Sequence, residues 1–132
     1  AALLIGDPAL DFKKEGAIIY DLSEEWFQRT GKPFVHAVIA ARAEAQIDER
    51  MVEIFRVAKQ EGLMKIATIA RTLARQTGLP ETTLLDYLQN KIRYNLGAEE
   101  LDGLSLFQSF CVSAGLIEKK FPFDFAYKEE TV

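Results

Sequence analysis

Ala1-Ala2-Leu3-Leu4-Ile5-Gly6-Asp7-Pro8 opens the chain, and the reading of these residues decides the fold. An unbroken apolar run without polar alternation is what a strand covered on both faces presents. No turn, cap or polar lead-in precedes it, so it reads as cut from a longer chain. Gly6-Asp7-Pro8 then makes a sharp exit. Asp7 suits the cap of a short helix with Pro8 at its first position, a turn that faces its backbone donors outward.

Further along, Phe34-Val35-His36-Ala37-Val38-Ile39-Ala40-Ala41 repeats the pattern with one histidine in an otherwise dry run, and Ala17 to Tyr20 reads as a shorter strand. So few short strands cannot form a stable sheet unaided, which implies strands supplied from elsewhere. Either a second chain supplies the missing part or like segments pair, and a homo-oligomer is one expected outcome.

Helical signals fill the rest. Asp21 and Glu24 have capping-box spacing and open a helix through Trp26 and Phe27, stopped by Gly31 and Pro33. Asp48 caps the next, with Ile47 and Val52 as a hydrophobic staple, and Ile47, Met51, Ile54, Phe55 and Ala58 on one stripe; Gly62 is expected to close it. Ile66, Ile69, Ala70 and Leu73 define another amphipathic helix ended by Gly78 and Pro80, and Leu84, Leu85, Leu88 and Ile92 the one after it. The last runs from about Ala98 to Ala114, with Gly115 as its C-terminal cap. The tail Phe121-Pro122-Phe123-Asp124-Phe125 is apolar enough to dock.

With 132 residues and 48% apolar content, the chain has material for one ordinary domain. Its 16 Lys and Arg against 20 Asp and Glu give a net charge of -4, which provides no strong field for nucleic acid or an anionic membrane. The single cysteine, Cys111, excludes an internal disulfide and a cysteine metal cluster. No apolar run approaches the ~20 residues that span a bilayer. A soluble, cytoplasmic protein is expected, although the absence of a signal peptide decides little.

Taken in order, Ala2-Leu3-Leu4-Ile5-Gly6-Asp7, Tyr20-Asp21-Leu22, Trp26, Thr30-Gly31, Pro33-Phe34-Val35 and Ala37 resemble the second half of the chorismate dehydratase family of menaquinone biosynthesis. The similarity continues through Leu84-Leu85, Tyr87-Leu88, Ile92, Tyr94, Gly103-Leu104 and Phe107. A sister family of the same futalosine route is similar in several of these positions, but places a His and a Glu where this chain has Gly6 and Asp7. Gly6 cannot act as a base, which favours the dehydratase branch.

The resemblance implies an α/β class, the C-terminal part of a two-lobed, periplasmic-binding-protein-like (type 2) fold, helix-rich with few strands. Residues 1–20 would end the second lobe, 21–42 would form a crossover helix and strand, and 43–132 would be a helical part packing on the first lobe. The implied activity is a carbon-oxygen lyase that removes water from chorismate, without an organic cofactor, and the chain alone would be inactive. The implied ligand is a small-molecule carboxylate. Two alternatives stand beside it: a solute-binding receptor on the same scaffold, and a helix-turn-helix at Ile69 to Leu84 with Arg71 and Arg75 available for phosphates. Glu81, Asp86 and the acidic balance favour a helical hairpin over the latter, so no nucleic-acid partner is expected.

Gly6 and Asp7 are the candidate substrate-binding residues. A strand end followed by a helix start presents side chain and backbone donors to a ligand, and Asp7 can cap that helix at the same time. Gly6 marks a close backbone approach or a positive φ. Arg42 could reach a carboxylate or form an ordinary ion pair. His36 could serve as a general base or be a buried, hydrogen-bonded histidine. Tyr20 and Trp26 line a cleft or fill the space between helix and sheet. Cys111 reads as inert packing, no catalytic residue is assigned, and the lack of a second histidine leaves no metal site.

Overall fold

The computed structural model describes residues 1–10, 12–42 and 44–125. Residue 11, in the segment assigned to the end of the second lobe, and residues 43 and 126–132, in that assigned to the helical part, lie outside the described residues. The chain divides into two compact units, one of Ala1–Ile18 with Glu53–Tyr94 and one of Ile19–Val52 with Asn95–Val132.

Among the described residues, none of the stretches read as strands (1–5, 17–20 and 34–41) forms a ladder. A strand read as covered on both faces needs neighbours to pair with, and these stretches find none among themselves. Their side chains are correspondingly open: Leu3, Ile5, Ile18, Ile19, Val38 and Ile39 are all exposed.

In the first unit, α1 (Asp7–Leu10) follows a turn that depends on Gly6, whose φ of 72° lies in the left-handed region. The N–H of Ala9 donates to the carbonyl of Gly6 at 2.8 Å and closes it. Helix α4 (Ile66–Thr77) ends on Gly78, and α5 (Glu81–Asp86) starts after Pro80. These helices pack together, burying Ala70 and Leu84, the innermost apolar side chains of the described chain. Arg71 and Glu81 pair across the connection at 3.5 Å.

Two boundaries differ from expectation. Gly62 does not close α3, which runs Glu49–Met64; the break is Lys65, at φ -105° and ψ 10°. Gly62 keeps a negative φ and continues the helix. Leu88 lies not in an α-helix but in a π-helical turn, Tyr87–Lys91, which follows α5 and ends as Ile92 becomes extended. The Ile92 N–H donates back to Tyr87 at 3.1 Å, and the Tyr94 hydroxyl takes up the Leu88 carbonyl at 3.0 Å. The wide turn leaves carbonyls that an ordinary helix would satisfy, and Tyr94 answers one of them.

In the second unit, α2 (Leu22–Thr30) is capped as the sequence requires. The Asp21 carboxylate accepts from the N–H groups of Ser23 and Glu24 at 2.8 and 3.2 Å, and Gly31 ends the helix in the left-handed conformation. The Glu24 carboxylate accepts instead from Gln28, so only half of the expected box forms there. Asp48 caps α3 by accepting from the N–H of Met51 at 2.8 Å. Helix α6 (Ala98–Ser113) begins with Glu100 accepting from the N–H of Gly97 at 3.0 Å. It ends in a Schellman pair, Gly115 to Val112 and Leu116 to Cys111, made possible by a φ of 69° at Gly115.

Candidate substrate-binding site

The geometry at Gly6 and Asp7 is simple. Gly6 supplies a backbone bend that an L side chain resists, and a Cβ placed there would meet nothing within 4 Å, so among the described residues no close backbone approach accounts for it. Its φ alone explains the glycine. Asp7 stands at the first position of α1 with its side chain exposed. An exposed carboxylate here can accept from a ligand hydroxyl, but it repels a ligand carboxylate.

Within the second unit, the remaining polar candidates collect around α2. Ser23, on its first turn, places Oγ 2.9 Å from Nε2 of His36. The histidine is therefore hydrogen-bonded as expected but exposed rather than buried. Its ring packs edge-on to Phe34, with centroids 5.0 Å apart. The N–H groups of Ser23 and Glu24 already donate to Asp21, so the start of α2 has little left to offer an anion.

Behind this pair lies an aromatic cluster. Trp26 meets Phe34, Phe107 and Phe110 edge-to-face at 5.6, 5.9 and 5.6 Å, and Phe34 meets Phe107 at 5.2 Å. Trp26 is thus a packing residue, whereas Tyr20 is exposed. The indole Nε1 is buried without a hydrogen-bond partner among the described residues.

The cluster is held by the turn that precedes Phe34. Thr30 donates its hydroxyl to the Trp26 carbonyl at 2.7 Å and accepts from the N–H of Lys32 at 3.2 Å. Lys32 pairs with Asp102 of α6 at 2.8 Å. That hydrogen bond, and then the carboxylate's charge, raise the Lys32 ammonium above its ordinary value. Sequence patterns gave no sign of this long-range pair or of the Ser23–His36 bond, since neither has a local spacing rule.

The other candidates do not converge on a site. Arg42 is exposed, and its carbonyl accepts from the N–H of Ala45 at 2.9 Å. Cys111 is half-buried on α6. Among the described residues no group of three or more His, Cys, Asp or Glu side chains could hold a metal ion. Among the described residues no helix is long and apolar enough to cross a membrane.

Comparison with known proteins bears on what these features serve. A family model described as menaquinone biosynthesis matches residues 1–113. Chorismate dehydratase of Thermus thermophilus is 42% identical over 98 residues, which are 74% of this chain and 35% of that relative. The matched stretch therefore spans about a third of the length of this curated relative. No solved structure matches.

Proposed function

From the premise that this chain belongs to the menaquinone-biosynthesis family, whose model covers residues 1–113, we propose that it is part of a chorismate dehydratase of the futalosine route. The observation that carries this reading is the 42% identity with a protein of that name. The reaction is the loss of water from chorismate to give 3-[(1-carboxyvinyl)oxy]benzoate, a lyase step. The ring hydroxyl leaves with a ring proton and the cyclohexadiene becomes aromatic, which supplies much of the driving force. What falls to the protein is orientation, stabilisation of charge as the hydroxyl departs, and exclusion of water.

In this reading Gly6 and Asp7 contribute one edge of the substrate site. Gly6 turns the backbone so that Asp7 stands at the helix start, and the Asp7 carboxylate accepts from a substrate hydroxyl. The two substrate carboxylates require cationic or N–H donors, which Asp7 cannot supply. They belong to the rest of a two-lobed, periplasmic-binding-protein-like fold, in which residues 1–20 close the second lobe, 21–42 cross over and 43–132 pack on the first. Unpaired apolar runs at Ala1–Ile5 and Phe34–Ala41 suit strands of such a sheet. The chain alone is then inactive.

The test is direct. Chorismate is incubated with this chain and, separately, with a polypeptide of the relative's full length that contains it. Loss of the diene absorbance with formation of the aromatic ether in the second sample alone is the expected result. Tight binding of chorismate with the diene intact would favour a receptor on the same scaffold.

A further inference from the structure

We propose that His36 is a catalytic residue of the dehydration, with Ser23 and Phe34 as its positioning residues. The proposal deepens the functional reading above and rests on it. It names the group that moves the proton.

Chorismate carries its enol ether and its hydroxyl trans on adjacent ring carbons. The ring hydrogen beside the enol ether therefore lies on the same face as the hydroxyl, and the elimination that makes the benzoate is a syn loss. An anti loss suits two groups on opposite faces of the ring, whereas a syn loss suits one group that takes the proton and then returns it. Imidazole is the side chain that does both near neutral pH. The chain holds one, His36.

Three observations fit that ring to the task. His36 is exposed, so the reading of a histidine buried for packing does not hold. Its Nε2 lies 2.9 Å from Ser23 Oγ, and its ring stands edge-on to Phe34, itself packed against Trp26 and Phe107, so the orientation of the imidazole is set from two sides. The carboxylates that flank Ser23 on α2 are engaged elsewhere: Asp21 accepts from the N–H groups of Ser23 and Glu24, and Glu24 accepts from Gln28. With Nε2–H donating to Ser23 Oγ, the lone pair is on Nδ1. In the two-lobed reading residues 21–42 pass between the lobes, where such folds hold a ligand, and Nδ1 there faces the substrate.

The step balances on this one ring. Nδ1 takes the ring proton, the electron pair of that C–H bond becomes the new ring double bond, and the neighbouring C–O bond breaks. The departing hydroxide takes the proton back from Nδ1 and leaves as water. The imidazole returns to neutral with Nε2–H still on Ser23.

The experiment uses the polypeptide of the relative's full length that contains this chain, with chorismate as substrate and loss of the diene absorbance as readout. His36→Gln, which keeps a donor for Ser23, should lower kcat about a hundredfold or more with KM little changed. His36→Ala should fall as far and regain part of its rate when imidazole is added to the buffer, a rescue that a packing role does not give. Ser23→Ala should lower kcat about tenfold, and Ser23→Thr, which keeps the hydroxyl, should restore most of it. Trp26 fluorescence and circular dichroism confirm that each variant keeps its fold. A His36→Gln variant that retains kcat, a loss confined to KM, or a His36→Ala variant indifferent to imidazole would overturn the assignment. A wild-type polypeptide without dehydratase activity ends the functional reading and this assignment with it, whereas an active one whose rate ignores His36 ends this assignment alone.

Discussion

Gly103 of α6 lies so close to the Pro33 carbonyl that a Cβ on Gly103 would overlap it. The contact joins residues distant in sequence and is reinforced one position earlier by the Lys32–Asp102 pair. It fixes the turn at Lys32-Pro33 on the helix and so places Phe34 among Trp26 and Phe107. Gly103→Ala should therefore cost about 1–3 kcal/mol, the range for overpacking a tight contact. The chain has one tryptophan, Trp26, so its fluorescence during urea unfolding reads this unit directly. An unchanged midpoint would show that the helix and the turn separate at little cost.

Phe34 is the centre of the aromatic cluster, meeting Trp26, His36 and Phe107 edge-on. Fully buried phenylalanines cost about 3–5 kcal/mol when cut to alanine, and Phe34 is half-buried, so Phe34→Ala should cost about 2 kcal/mol. His36, the single histidine, should lose its ring contact at the same time, which a shift of its imidazole proton resonances would report. Resonances that stay in place would mean that the Ser23 bond alone orients the ring.

At the start of α2, Asp21 accepts from both Ser23 and Glu24. Asp21→Ala should destabilise the helix by about 1 kcal/mol, whereas Asp21→Ser should restore most of that. Thermal unfolding followed by circular dichroism distinguishes the two. Equal losses in both variants would indicate that the role of Asp21 is not capping.

What was legible in the sequence was local. The caps at Asp21 and Asp48 and the stops at Gly31, Gly78 and Gly115 follow from neighbouring residues, and the structure has each of them. Gly62 misled because the same residue type closes helices and permits close approaches, and only its φ separates the two. Helix type after Asp86 was beyond pattern reading, since Leu84, Leu85 and Leu88 suit an α-turn or a π-turn equally. At the candidate site, the Gly6–Asp7 turn could be read from the residues themselves. The Ser23–His36 bond, the Lys32–Asp102 pair and the Gly103–Pro33 contact could not, because each depends on how separate elements meet.

Alkaline pH offers a test of the π-helical turn. Burial first, and then the neighbouring Tyr87, raise the Tyr94 hydroxyl above its ordinary value of 10.0. Because the folded value lies above the unfolded one, the protonated phenol stabilises the fold fully below pH 10, and that contribution is lost as pH rises through the folded value. Lys32 behaves in the same sense in the other unit: Asp102 raises it above 10.5, so its contribution too is present below that pH and disappears above the folded value. Stability should thus fall on the alkaline side through both groups. Tyr94→Phe should be less stable at neutral pH, having lost the bond to the Leu88 carbonyl, but should show a shallower decline above pH 10. Lys32→Met should flatten only the part of the decline that Trp26 fluorescence follows. Urea midpoints measured from pH 8 to 11.5 in the three proteins decide the matter, and parallel curves would mean that neither group is held by the fold as described.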